Sequence, residues 1–153
     1  MQVWQLMSAD VVTLDAGATL DLAEDLMRQK RIRHLPVLDG EALVGLVTQR
    51  DLFRAGLSTV LQFRRHALKE WLAQIKVNEV MTRELVTTTP ETDVEGAVAL
   101  MLDHKIGCVP VVVAGKLVGL LSETDCLRYL RRILEIADVK RRIAEEEKPI
   151  ELG

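Results

Sequence analysis

The sequence contains an internal repeat. Placing residues 3–54 on residues 77–128 needs no gap, and 16 of these 52 aligned positions are identical. Most identical positions are apolar, as expected when two copies build the same kind of core. A chain of 153 residues is too short for a large multidomain enzyme but long enough for two small repeats that share a core. We therefore predict a tandem duplication.

Both copies show the same order of patterns: a short β-rich stretch, apolar residues at helical spacing, and two apolar runs joined by a turn. These are residues 11–14, 20–27, 35–38 and 43–47 in the first copy and residues 85–88, 94–101, 109–113 and 117–121 in the second. The spacing of Thr92 and Glu95 is that of a capping box and predicts a helix start there. The pattern predicts an α/β fold with mixed α+β sheets, built from two β-α-β-β-α repeats and covered sheet faces.

The chain divides into four segments. They are a first repeat over residues 1–60, a helical connector over 61–76, a second repeat over 77–130, and a C-terminal helix with a charged tail over 131–153. Apolar residues form a stripe on both extra helices, which makes them candidates for self-association. The alternative, that they pack back onto their own domain, stays open.

The composition argues against nucleic-acid and membrane partners. Lys and Arg number 20 against 23 Asp and Glu, a formal net charge of −3, so no overall field attracts phosphate backbones. Aromatic residues make up 3% of the chain, too few for base-stacking platforms. No apolar run reaches the roughly 18 residues of a membrane span, no signal peptide is visible, and two cysteines form no disulfide framework. We expect a soluble, cytoplasmic protein.

A G-x-x-[ST]-x-x-D pattern follows the predicted hairpin of each copy. It comprises Gly45, Thr48 and Asp51 in the first copy and Gly119, Ser122 and Asp125 in the second. One interpretation is structural: a Ser or Thr followed three residues later by an acid is a capping box, and the glycine marks a bulge or close packing. Duplication would preserve a cap, so this interpretation stays open.

The other interpretation is a nucleotide site. A helix N-terminus offers unpaired N–H groups and a partial positive charge to a phosphate, and the hydroxyl can donate to the same phosphate. The aspartate can accept two hydrogen bonds from a vicinal diol such as that of ribose. Because the glycine lacks a Cβ, a ligand or a facing chain can approach the strand closely.

The duplicated plan and these motifs, with the proline-ending steps His34-Leu35-Pro36 and Cys108-Val109-Pro110, resemble a tandem CBS domain pair, or Bateman module. The family is named after cystathionine β-synthase, and the resemblance covers about residues 3–130. It implies two pseudo-twofold-related repeats with clefts between them that bind AMP, ADP, ATP or S-adenosylmethionine. It also implies a stand-alone regulatory pair that forms a homodimer.

The resemblance assigns roles to individual residues. Asp51 and Asp125 would hold ribose, and Thr48 and Ser122 would contact ribose or phosphate. Backbone at Val12-Thr13, Val86-Thr87, His34-Leu35-Pro36 and Cys108-Val109-Pro110 would flank the adenine.

The copies differ in charge in the stretch that precedes Pro36 and Pro110. Gly107 and Cys108 stand in the second copy where the first has Arg33 and His34. If Arg33 or His34 faces a cleft, that cleft should prefer a polyphosphate over a monophosphate. A solvated helix face is the alternative for the nearby Arg28 and Arg31. Arg50, Arg54 and Arg128 are further phosphate candidates.

We predict an adenine-nucleotide sensor, without cofactor, metal or catalysis, that signals to an unidentified protein partner by conformational change. His104 and Cys108 are four residues apart but have no further zinc ligands at recognised spacing, and neither cysteine has the local pattern of a nucleophile. The competing hypothesis is a ligand-independent dimeric scaffold that uses the connector and C-terminal helices.

Overall fold

The two halves of the chain fold into the same unit. The computed structural model describes residues 1–60 and 65–146, and side chains for residues 1–56 and 68–143. A 3-10 turn at Val3–Gln5 is followed by β1 (Leu14–Asp15), α1 (Leu20–Lys30), β2 (His34–Asp39), β3 (Ala42–Thr48), α2 (Gln49–Val60), α3 (Arg65–Leu72), α4 (Val77–Val80), α5 (Val94–His104), β4 (Cys108–Val113), β5 (Lys116–Ser122) and α6 (Glu123–Glu146). The predicted α/β class with two repeats is confirmed, but in the second repeat the predicted first strand over residues 85–88 is reduced to an isolated bridge between Thr88 and Val111.

The strands form one mixed sheet in the order β1-β2-β3-β5-β4. β1 runs parallel to β2, whereas β2 with β3 and β4 with β5 form antiparallel hairpins. The two hairpins join through a single pair, Ala42 with Lys116. Their turns use left-handed residues, Gly40 at φ 59° and Gly115 at φ 78°, as the apolar-turn-apolar pattern predicted.

The two repeats exchange their first segments. Val3 is fully buried in the core of the second repeat, and Val77 is fully buried in the core of the first. Ser8 and Leu120 exchange two backbone hydrogen bonds of 2.9 and 3.0 Å, and Thr82 and Leu46 do the same. Each core is therefore completed by the opening segment of the other repeat, which ties the halves into one unit.

The repeated glycines serve this exchange. A Cβ built on Gly45 would overlap the side chain of Met81, and one built on Gly119 would overlap Met7. Of the two explanations that the sequence left open, a facing chain is therefore the one that the structure shows at both positions.

The connector and C-terminal helices differ in their packing. In α3, Leu72 is buried in the first core, so this part of the connector packs back onto its own repeat; residues 61–64 lie outside the described part. In α6, every described side chain from residue 127 to 143 is exposed. Among the described helices, none is long and apolar enough to cross a membrane.

The predicted helix start at Thr92 is wrong by one residue. Helix α5 begins at Val94 with Asp93 at its N-cap, and no side chain caps it. The Thr92 hydroxyl instead lies 3.1 Å from that of Thr89 and accepts from the Thr89 N–H. The local turn thus competes successfully for the hydroxyl that the capping box would use.

Candidate functional site

Two clefts lie between the repeats, and we name them after their aspartates. The Asp51 cleft has a volume of about 630 Å³ and the Asp125 cleft about 170 Å³. The Asp51 cleft is lined by Arg33, His34, Leu46, Thr48, Gln49, Arg50, Asp51, Phe53, Arg54, Thr82, Glu84, Leu85, Val86, Lys105, Ile106, Gly107, Cys108, Pro110 and Glu123. The Asp125 cleft is lined by Ser8, Asp10, Val11, Val12, Arg31, Ile32, Arg33, His34, Leu120, Ser122, Thr124, Asp125 and Arg128. Each of these thirteen aligns with a residue lining the larger cleft, so the two sites are pseudo-twofold equivalents.

The first G-x-x-[ST]-x-x-D motif forms a helix cap at the mouth of the Asp51 cleft. Strand β3 ends at Thr48, and α2 begins at the next residue. The Thr48 N–H and hydroxyl donate to Asp51 Oδ2 at 2.7 and 2.8 Å, and the Asp51 N–H donates back to the hydroxyl at 3.3 Å. The structural interpretation of the motif is therefore present, and it uses only one of the two carboxylate oxygens.

The second motif repeats the cap with one addition. Ser122 donates through its N–H and hydroxyl to Asp125 Oδ2 at 2.9 and 2.6 Å. Here Arg128 Nη1 also contacts Asp125 Oδ1 at 3.4 Å, and the Asp125 side chain is 9% exposed. Among the described residues, Asp51 Oδ1 has no such partner. The larger cleft thus retains the freer carboxylate.

Most backbone donors at the helix starts are already used. The Gln49 N–H donates to the Arg33 carbonyl at 2.9 Å, and the Glu123 N–H donates to the Gly107 carbonyl at 2.9 Å. The cap hydroxyls also donate their single hydrogen to the aspartates, so the predicted donation to phosphate would need a different rotamer. The helix start alone offers little to an anion.

The clefts bring together part of the predicted site. Of the sixteen predicted residues, Thr48, Asp51, Arg33, His34, Arg50, Cys108 and Pro110 line the Asp51 cleft, and Ser122 and Asp125 line the other with Arg33 and His34. Gly45, Gly119, Thr13, Thr87, Leu35, Pro36 and Val109 are not among the described residues that line either cleft. Leu35, Pro36 and Val109 are fully buried, so their side chains form core and not cleft wall.

The family follows from comparison with known proteins. The model of the CBS domain matches residues 3–58 and 77–132. The chain belongs to the CBS domain family. A CBS domain-containing protein of Dictyostelium discoideum is 34% identical over 135 residues, covering 87% of this chain and 93% of that protein. The resemblance inferred from the motifs is confirmed.

Solved structures agree with the fold. The crystal structure of AcuB from Vibrio cholerae has a TM-score of 0.74 and 31% identity, covering 97% of this chain and 98% of that one. CBSX2, crystallised in complex with AMP, has a TM-score of 0.72 and 26% identity, covering 86% and 97%. The A-adding tRNA nucleotidyltransferase of Geobacter sulfurreducens is 28% identical over 125 residues, but this CBS pair spans only 13% of its length.

Several cleft residues of the CBS pair were missed by the sequence reasoning. Phe53 lines the Asp51 cleft and is 65% exposed, an unusual position for an aromatic side chain. The sequence contained a signal for Phe53, because this residue lies two positions after Asp51 on the helix that begins at the motif. Glu84 and Glu123 add negative charge to the same cleft.

Two of the basic cleft residues have an unfavourable backbone conformation. Lys105 and Arg31 occupy equivalent C-cap positions after α5 and α1, with φ values of 53° and 54°. Glycine is the usual residue at such left-handed positions, since other side chains are strained there. Each CBS repeat thus presents a cation to a cleft from a position where glycine would be favoured. A cation there also interacts favourably with the helix dipole.

Arg33 and His34 lie where the clefts meet, because both line both of them. A Cβ on Gly107 would lie 2.9 Å from His34 Nε2, so the missing side chain of the second repeat makes room for His34. Burial, and secondarily the charge of Arg33, lower the pKa of His34, while Glu123 and Asp51 oppose this shift. The ring is therefore held toward its neutral form.

The cysteines are free and weakly acidic. Cys108 is buried, and burial raises its pKa to about 12. Burial and the charge of Asp125 also raise the pKa of Cys126. A thiol of this kind is mostly protonated near neutral pH and is a poor nucleophile. No group of three or more His, Cys, Asp or Glu in the described part of the chain is arranged to hold a metal ion.

Proposed function

We propose that this CBS pair is a cytoplasmic regulatory module, and not an enzyme, that binds an adenine nucleotide or S-adenosylmethionine in the Asp51 cleft. The observation that carries the proposal is the free Asp51 Oδ1 in a cleft of about 630 Å³, within the typical 300–1,000 Å³ of small-molecule sites. The two free cysteines are compatible with a reducing compartment.

The cap and the ligand site are compatible because they use different oxygens of one carboxylate. Oδ2 accepts the two cap hydrogen bonds from Thr48. Oδ1 keeps acceptor capacity for the two hydroxyls of a ribose diol. Charge-assisted bonds of this kind contribute about 1.5–3 kcal/mol each, more than the ~1 kcal/mol of a typical N-cap. The capping interpretation therefore does not displace the binding one.

Apolar walls suit the base. Leu85, Val86, Ile106 and Pro110 line the same cleft from the second repeat, and a purine could pack between them. The AMP named with the CBSX2 structure supports this ligand class for the family relative at 26% identity. A ligand wedged between the repeats would change their relative orientation only through a difference in affinity for two orientations, and a protein partner would detect that change.

The Asp125 cleft is the weaker candidate. Its volume of about 170 Å³ lies below the usual range for a small-molecule site, and Arg128 already contacts Asp125 Oδ1. We therefore propose one principal site in each chain, although both motifs match the same G-x-x-[ST]-x-x-D pattern.

Isothermal titration with AMP, ADP, ATP and S-adenosylmethionine tests the proposal, using Asp51→Ala and Asp125→Ala as a matched pair. Both variants lose the same cap, so each should lose about 1 kcal/mol of stability. Only Asp51→Ala should lose affinity, by about 1.5–3 kcal/mol or roughly 10- to 150-fold. If Asp51→Ala binds each ligand as tightly as Asp125→Ala does, Asp51 is not part of the site. If the wild type binds none of the four ligands, the proposal is wrong.

A second candidate function is a ligand-independent dimeric scaffold. The observation that favours it is the exposed apolar surface of α6, including Leu130, Ile133 and Leu134. Thermal denaturation with and without nucleotide separates the two functions, since a ligand that binds the native state raises the midpoint. A scaffold would show the same midpoint at every nucleotide concentration.

A further inference from the structure

The Asp51 cleft contains more cations than a monophosphate needs. Arg33, Arg50, Arg54 and Lys105 all line it. Among the described residues, Arg50, Arg54 and Lys105 have no carboxylate within ion-pair distance. Since the Gln49 and Asp51 N–H groups at the start of α2 already donate within the protein, anion recognition in this cleft falls on these side chains.

Arg33 has a weak partner that an anion can replace. Its Nη2 lies 3.9 Å from Glu123 Oε2, and both side chains are more than half exposed. Exposed pairs at such distances contribute little, on the scale of 0–1 kcal/mol in general surveys. A phosphate group with more negative charge than a carboxylate would therefore compete well for the guanidinium, which can bind it in a bidentate manner.

The two repeats are not equivalent at this point. The segment that contains Arg33 lines the Asp125 cleft, just as the aligned segment around Gly107 lines the Asp51 cleft. Arg33 nevertheless lines the Asp51 cleft as well. Its aligned residue is Gly107, which brings no charge to the other side. The Asp51 cleft thus gains a cation from across the pseudo-twofold axis, in addition to its own Lys105. The Asp51 cleft has four cations and three carboxylates, against three cations and two carboxylates in the Asp125 cleft, so the clefts differ in their number of cations and not in formal net charge.

We propose that the Asp51 cleft selects adenosine polyphosphates over adenosine monophosphate, and that Arg33 is the residue that determines this preference. The inference rests on the proposed function and specifies its ligand class. Ribose at Asp51 would leave the phosphate chain to extend toward the junction of the clefts, where Arg33 meets the terminal phosphates. A monophosphate brings less negative charge and fewer oxygens for Arg33, Arg50 and Lys105 to bind. Arg33 is therefore a specificity-determining residue and not a requirement for adenosine binding.

The test is isothermal titration of the full chain with AMP and ATP, using Arg33→Gln and Arg31→Gln as a matched pair. Arg31 lies two residues away, loses the same charge, and lines only the smaller cleft. We expect the wild type to bind ATP about tenfold or more tightly than AMP, as one or more charge-assisted contacts would give. Arg33→Gln should remove most of that difference by weakening ATP alone, and Arg31→Gln should leave it in place.

Each outcome decides between the proposals. Wild-type protein that binds AMP as tightly as ATP overturns the selectivity, and an equal loss of both ligands in Arg33→Gln overturns the role of Arg33. Wild-type protein that binds neither ligand overturns the proposed function itself. Arg33→Lys serves as a second variant if Arg33→Gln folds poorly, because it keeps the charge and should keep a larger part of the ATP preference.

Discussion

Single residues explain how one short motif can both begin a helix and bind a ligand. Thr48 and Asp51 satisfy the start of α2 through Asp51 Oδ2, and the remaining oxygen of this cleft-lining residue has no partner among the described residues. Ser122 and Asp125 form the same cap, but Arg128 contacts the second oxygen. At this oxygen the two sites therefore differ in the placement of an aligned arginine, since Arg128 contacts Asp125 whereas no described contact joins Arg54 to Asp51.

Thr88 is a residue at which the duplicated cores differ in polarity. Its side chain is buried, and its hydroxyl has no hydrogen-bond partner among the described residues. The aligned residue of the first repeat is Leu14, which places hydrocarbon at the same point of the other core. An unpaired buried hydroxyl costs about 1–3 kcal/mol.

We therefore expect Thr88→Val to stabilise the protein, because it replaces the unpaired hydroxyl by a methyl group of similar shape. The gain should be on the order of 1 kcal/mol in the free energy of unfolding, measured by chemical denaturation. Thr87→Val is the control: Thr87 is exposed, and its replacement should change stability by no more than about 0.5 kcal/mol. A loss of stability in Thr88→Val would mean that the hydroxyl has a partner in solution.

The elements show why the glycine of the motif recurs. Strands β3 and β5 each receive the opening segment of the other repeat, and Met81 or Met7 packs directly over the glycine. The Met81 Cβ itself would lie 3.2 Å from a Cβ on Gly45, so rotation of the methionine cannot relieve all of the crowding. The glycine is thus required by the packing between repeats.

Gly45→Ala should consequently destabilise the protein by about 1–3 kcal/mol, the usual cost of overpacking. Denaturant unfolding measures the change. The matched control is Gly96→Ala on helix α5, where a Cβ meets only Thr92 Cγ2 at 3.7 Å and where alanine should add up to about 1 kcal/mol. In the double variant Gly45→Ala/Met81→Ala, the total loss of stability should be smaller than the sum of the two single losses, because the shorter side chain leaves room for the added Cβ. If Gly45→Ala is as stable as the wild type, the segment does not pack there as described.

Elements that depend on local patterns were predictable from the sequence. The hairpins, their turns, and helices α1 and α5 follow from apolar periodicity and turn residues that a few neighbours determine. The burial of Val3 in the second core and of Val77 in the first was not predictable. The repeat alignment matches Val3 with Val77, which shows that the two positions are equivalent but not which core buries each of them. The unequal charge of the two copies predicted that the clefts differ, but not that Arg33 and His34 line both of them. That arrangement depends on His34 lying against Gly107, a contact between distant parts of the chain.

At the scale of the whole molecule, α6 packs on its own chain only near its start, and every described side chain from residue 127 to 143 is exposed. Large apolar side chains recur along it at Leu127, Leu130, Ile133, Leu134, Ile136, Val139 and Ile143, with exposed fractions between 43% and 64%. In proteins most helical stability comes from the packing of an apolar face, so this exposed stripe calls for a covering surface. Half-exposed side chains at these positions offer apolar area on the order of several hundred Å² per chain, comparable with the ~800 Å² that each partner contributes to a standard interface.

We propose a second copy of the chain as the partner of α6, since a self-complementary pair buries the apolar stripes of both copies at once. Ion pairs within the helix, Arg131 with Glu135 and Arg141 with Asp138, leave charged groups for the rim of such an interface. The homodimer that the family resemblance implied would then have a specific contact in this chain.

The double variant Ile133→Lys/Ile136→Lys tests this pairing, because lysine keeps the helix propensity and places charges in the apolar stripe. Sedimentation velocity should show a dimer for the wild type and a monomer for the variant. Leu102→Lys on α5 is the control: Leu102 is 72% exposed, more than the residues of the stripe, but it lies outside α6, so the dimer should persist. A monomeric wild type would contradict the pairing. A dimer that survives in the α6 variant but is lost in Leu102→Lys would instead place the interface on α5.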